Sequence, residues 1–174
     1  MVANILGGTR RAGSMRTEWD TIRALYRYNS GVRQRYLKAI WKLPPRERYR
    51  ERGASFPSLV DIYMHVLDAY RWWFLSVYGR GITFDEYPLG QHFSRTEAAR
   101  ATRTVDQLTR KVLREVGPRG LGRMVAWRGR RSFRCSVRSM LLHLVEEELQ
   151  HRGEMNALLW QIDVDPPVTG FEDE

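Results

Sequence analysis

The chain has 174 residues, of which 43% are hydrophobic and 28% charged. This length and balance predict one soluble globular domain with a single core and exclude a disordered chain. No apolar run approaches the roughly 18 residues that span a bilayer, and residues 1–15 are too polar for a secretory signal, so the expected location is the cytoplasm, away from membranes.

One cysteine, Cys135, rules out an intrachain disulfide framework and a cysteine-rich zinc site. Its arginine-rich surroundings would lower its pKa, although a lone cysteine is more simply a packing residue. The net charge is +9, and 26 of the 29 basic residues are arginine, the rest being Lys38, Lys42 and Lys111. The excess suits an anionic partner, but it equally suits a compositional bias. The basic residues are scattered apart from Arg128, Arg130, Arg131 and Arg134, so nucleic acid finds no focused stripe or motif.

In chain order, residues 1–14 read as a flexible glycine-containing leader. A first helix opens near Thr17, runs through Ile22, Tyr26, Val32, Tyr36 and Ile40, and closes at Pro44-Pro45. A second starts near Ser55 or Ser58, with Ser58 and Asp61 as a capping pair, and ends at Gly79 and Gly81. Residues 79–93 form a loop that carries His92. Ser94 and Glu97 spell a capping box for a third helix ending at Gly117-Pro118. Residues 124–135 alternate around a glycine turn and predict a short β-hairpin. A fourth helix covers about Ser136 to Ile162, and residues 168–174 form an acidic tail. The expected fold is all-α, an up-down four-helix bundle variant with a hairpin before the last helix, as one domain over 15–167.

The fourth helix carries the chemistry. Met140, Leu144, Met155 and Leu158 share one face, with Glu147 and His151 inside that stripe and His143 and Glu154 at its edge. Glu146 and Arg152 are expected to face solvent. A carboxylate on an apolar face needs a partner. At i, i+4, Glu147 and His151 can converge on one cation. They can equally form a buried ion pair that holds the bundle in register. On the second helix, His65 flanks the Ile62–Val66–Trp73 stripe, with Asp61 and Asp68 placed to accept its second ring proton and Trp72 to wall a pocket. His65, Glu147 and His151 together make a two-histidine, one-carboxylate set with open positions, suited to one divalent ion such as Zn, Ni, Fe or Mn. Glu148 and His151 also spell the E-x-x-H of di-iron bundles, but no second such motif exists.

Three stretches carry a resemblance: Leu25-Tyr26-Arg27-Tyr28-Asn29; Met64-His65-Val66 followed by Trp72-Trp73; and His143 through Glu154, with Pro166-Pro167 after it. Over about residues 18–167 the chain resembles the DinB/YfiT-like proteins, four-helix bundles with a mononuclear metal site. The resemblance implies His65 and His151 as ligands. The Glu147 position is usually His in that family, and a carboxylate there shifts preference toward harder ions. Some members are thiol-dependent transferases or isomerases and many are dimers. The resemblance therefore implies a metal-dependent transferase or hydrolase acting on a small molecule, with a low-molecular-weight thiol and a homodimeric state. In that picture Arg152 or the arginines of 128–134 would hold an anionic substrate or thiol. Two other readings stand beside it: a non-enzymatic, stress-related or nucleic-acid-associated basic protein, and a purely structural polar network.

Overall fold

The computed structural model describes residues 7–79, 81–129 and 132–170, with side chains from residue 17 onward. Residues 1–6 of the expected leader, 171–174 of the expected tail, and Arg130 and Arg131 lie outside the described residues. The architecture is a helical bundle with one short hairpin. It comprises α1 (Gly7–Lys42), a single turn α2 (Pro45–Arg48), α3 (Leu59–Arg71), a π-helical continuation of α3 (Trp72–Tyr78), α4 (Arg95–Val116), β1 (Met124–Trp127), β2 (Phe133–Ser136) and α5 (Val137–Trp160). Helix α1 thus begins ten residues before Thr17, the expected start.

The local signals that end and begin the helices act as capping chemistry predicts. Pro44 and Pro45 stop α1 and open α2. The Ser58 hydroxyl accepts from the Asp61 amide at the head of α3. Ser94 and Glu97 exchange side-chain and backbone hydrogen bonds at the head of α4. Gly117, with φ 55°, closes α4 in a conformation that a Cβ would strain.

The core is continuous across the bundle. It takes Ile22, Tyr26, Tyr36 and Ile40 from α1, Leu59, Ile62, Leu67 and Tyr70 from α3, Val105 and Val112 from α4, and Met140, Leu141, Leu144 and Leu159 from α5. Helix α3 packs on both α4 and α5, and α1 lies against the same pair. The hairpin pairs antiparallel in the register Met124–Ser136, Val125–Cys135, Ala126–Arg134 and Trp127–Phe133. Its aromatic end, Trp127 and Phe133, packs edge-on or tilted against Trp72 and Trp73 of the π-helical segment. That segment closes with the Gly79 amide bonding the Phe74 carbonyl five residues back. A Cβ on Gly79 would lie 2.4 Å from the Leu75 carbonyl oxygen, so the tight closure requires glycine.

A set of buried polar groups sits inside this core. Arg33 of α1 donates to Glu148 of α5 at 2.6 Å and to Asp106 of α4 at 2.9 Å. Tyr70 of α3 donates to the same Glu148 oxygen at 2.6 Å, and its ring lies 4.6 Å from the Arg33 guanidinium carbon. All four long helices meet at this knot. Arg152 is buried as well, donating to the Tyr28 hydroxyl and to Asn29. The expectation that Arg152 faces solvent therefore fails. Its position continues the buried row of Leu141, Leu144, Glu148 and Met155, and its charge is solvated internally by α1.

Candidate metal centre

Helices α3 and α5 bring His65, Glu147 and His151 together, with one potential ligand atom of each within 4.8 Å of the others. Their Nε2 atoms address the same oxygen: His65 Nε2 lies 3.4 Å and His151 Nε2 3.3 Å from Glu147 Oε1. The two imidazoles meet edge-on, 4.8 Å between centroids. His151 is 5% exposed, whereas His65 and Glu147 are partly open. Glu147 sits at the edge of the buried face of α5 and not within it; the buried position belongs to Glu148. The Glu148–His151 reading of a di-iron motif finds no support, because Glu148 turns inward to Arg33 and Tyr70.

The orientation of His151 is set from behind. Its Nδ1 lies 2.9 Å from Glu154 Oε2, which also accepts from the Ser55 hydroxyl at 2.6 Å. Burial alone would raise the Glu154 pKa, but these hydrogen bonds from Ser55 and His151 hold it below the usual carboxylate value. With Nδ1 directed to Glu154, His151 turns Nε2 toward the Glu147 carboxylate, an arrangement in which the two atoms can share a cation. Phe56 stacks on His65 at 4.0 Å, fixing that ring as well. Burial, and then the neighbouring His151, push the His65 pKa below its ordinary value, which favours the neutral, ligating form.

The donor set fits a divalent ion. Donors about 2.0–2.1 Å from one tetrahedral cation lie about 3.4 Å from each other, and the two Glu147–histidine separations already have that length. The carboxylate behind a ring nitrogen is the partner that metal-bound imidazoles commonly have.

His65 and Glu147 open onto a cleft of about 450 Å³, walled by Phe56, Trp72, Trp73 and Tyr87 and lined also by His143, while His151 lies buried beside them. His143 Nε2 stands 3.7 Å from Glu147 Oε2 and its ring 5.1 Å from Trp73. Trp72 walls the pocket as its position suggested. Asp61 and Asp68 do not serve His65. Asp61 accepts from the Gly90 amide at 2.7 Å and Asp68 from the Tyr87 amide at 2.6 Å, so both fasten the 85–90 loop over the cleft. Arg71 joins them, donating to the Asp85 carbonyl with its guanidinium between the Phe84 and Tyr87 rings.

A model of the DinB family matches residues 15–173. The chain belongs to the DinB family. A DinB-like protein from Bacillus cereus ATCC 10987 has the same fold at TM-score 0.64, with 18% identity over 86% of this chain and 95% of that one. No functionally curated protein matches the chain. Among the described residues no helix is long and apolar enough to cross a membrane.

Sequence reasoning missed two parts of this DinB-family centre. The Ser55–Glu154–His151 chain had a partial signal in the i, i+3 spacing of His151 and Glu154, but Ser55 is distant in sequence. Of the arginines expected to hold an anionic ligand, the described ones, Arg128, Arg134 and Arg152, do not line the cleft, and no Lys or Arg does among the described residues. Cys135 follows its simpler reading as a packing residue: it lies half-buried against the core, and partial burial raises its thiol pKa.

Proposed function

We propose that this protein is a mononuclear metal-dependent enzyme, a transferase or hydrolase that works on a small molecule in the cleft above His65, Glu147 and His151. The observation that carries this reading is the convergence of two histidine Nε2 atoms on one carboxylate oxygen at the end of an aromatic-walled cleft. A divalent cation held there would supply a Lewis acid able to activate a water or a thiol. Zn, Ni, Fe and Mn all suit the donors, with Glu147 favouring the harder ions.

The chain's own residues do the rest. Glu154 holds the His151 proton at Nδ1 and so aims Nε2 forward. Phe56 fixes the plane of His65. Trp72, Trp73 and Tyr87 exclude water from one side of the cleft. His143, half-exposed, can exchange a proton between the cleft and solvent at Nε2. Asp61, Asp68, Glu86 and Glu147 line the cleft, and among the described residues no Lys or Arg joins them in the lining, Arg71 pairing with Asp68 from outside it. A substrate or low-molecular-weight thiol bearing an amine therefore suits it better than one bearing carboxylates, although the chain as a whole is basic.

A homodimer is part of the proposal. Leu142, Leu149 and Trp160 are exposed on α5, and with Gly153 they fall within about 40° of one line along the helix. Such a stripe is suited to packing against a second helix. A cytoplasmic location is likewise proposed.

Elemental mass spectrometry of the purified chain tests the centre. About one metal per chain is expected, with loss of it in His65→Ala and in Glu147→Ala. No metal in the parent protein after incubation with Zn, Ni, Mn and Fe would overturn the reading in favour of a structural polar network.

A further inference from the structure

A second cleft, of about 660 Å³, lies between α1 and α4 and shares no lining residue with the first. Arg23 and Arg27 of α1 and Arg110 and Arg114 of α4 line it. Each pair is spaced i, i+4, so its side chains leave one face on successive turns. Arg23 meets only Asp20, at 3.9 Å and in solvent. Among the described residues, no ion pair engages Arg27, Arg110 or Arg114.

Between the arginines the lining is apolar, from Trp19, Tyr26 and Leu113. Thr109, 5% exposed, lines the same cleft, and its buried hydroxyl has no hydrogen-bond partner. The cleft's one carboxylate, Asp106, is already engaged from behind by Arg33 and by Gln34. Four guanidiniums around one compensated carboxylate concentrate positive potential over an apolar surface. A solvated arginine face needs neither the recessed apolar lining nor the orphaned hydroxyl. Guanidinium forks match the oxygens of phosphates and carboxylates, and they do so bidentately.

We infer that this cleft is a binding site for a small amphiphilic organic anion, with its apolar body against Trp19 and Leu113 and its phosphate or carboxylate oxygens on the four arginines. The site is separate from the metal centre in both position and charge. One cleft is lined by carboxylates and the other by guanidiniums.

Calorimetric titration of the full chain with 1-naphthyl phosphate at low salt tests it, with 1-naphthol and inorganic phosphate as the separated halves of the probe. The ester should bind at least about tenfold more tightly than either half, and Arg27→Gln with Arg110→Gln should weaken it at least about tenfold. Both substitutions are at exposed positions, and a thermal melt checks that the double variant folds. His65→Ala should leave the affinity unchanged. Absence of binding, equal affinity in the double variant, phosphate binding as tightly as the ester, or loss of binding in His65→Ala would each overturn the inference.

Discussion

Glu154 touches no other residue of the three-residue centre but His151, yet it decides how that ring behaves. With Ser55 it pins the Nδ1 proton, and the Nε2 lone pair is then directed at Glu147. Partners of this kind typically govern about 10–100-fold in metal affinity, so Glu154→Gln should weaken binding by that factor while the fold survives. The pH dependence has a definite sign. Burial lowers the His65 pKa from its ordinary 6.5. Protons therefore compete with metal at His65 only below that value, and affinity should hold from pH 8 down to about 6.5 before falling. The metal-free protein follows the same sign. Below about 6.5 the unfolded chain takes up a proton at this histidine that the folded chain resists, so stability is lost as the pH drops through that window. Competition against a chromophoric chelator between pH 5 and 8, for the parent and Glu154→Gln, reads both effects. An affinity already falling above pH 7 would contradict the burial argument.

At the scale of elements, the helices were legible because their ends carry local chemistry. Ser58, the Ser94–Glu97 box, Pro44-Pro45 and Gly117 act through neighbours within a few residues, and the sequence displays them directly. The hairpin was legible from its alternation. The π-helical continuation of α3 was not, since its hydrogen-bond shift leaves the composition of Trp72–Tyr78 unremarkable. Nor was the knot of Arg33, Asp106, Glu148 and Tyr70. Each member falls on the buried face of its own helix, but only the assembled bundle shows that the four faces meet. On α5 this misled the reading of the face: Glu147 was given the buried place that Glu148 holds, and Arg152 was given to solvent. The knot also sets an energetic expectation. Removing one partner from a buried ion pair costs about 3–5 kcal/mol, so Glu148→Ala should lower the unfolding free energy by about that amount in a urea titration. A loss under 1 kcal/mol would mean that Asp106 alone satisfies Arg33.

At the scale of the whole molecule, the candidate centre was legible as three residues but not as a cleft. His65 lies 82 positions from Glu147, and periodicity alone says only which face each occupies. What the cleft selects depends on the 85–90 loop, which two aspartates and Arg71 of α3 hold in place. Among the described residues this cleft is lined by carboxylates and by no arginine, and the cleft lined by four arginines is the one between α1 and α4. The α5 stripe is the corresponding whole-molecule feature on the outside. Light scattering after gel filtration should find a dimer, and Leu149→Glu should convert it to a monomer while metal content stays intact. A parent protein that is monomeric at high concentration would remove the dimer from the reading.

The shared guanidinium of Arg33 has a consequence for how this chain can vary over descent. Asp106 and Glu148 both lean on it from different helices. Loss of Arg33 strands both buried carboxylates and loss of either carboxylate breaks one of its two ion pairs, whereas simultaneous replacement of such a set by apolar residues is often neutral or stabilising. Between the polar and apolar solutions lie only damaged intermediates. Arg33, Asp106 and Glu148 should therefore be inherited or lost as a set, and lineages that have crossed to an apolar knot should show all three changed together.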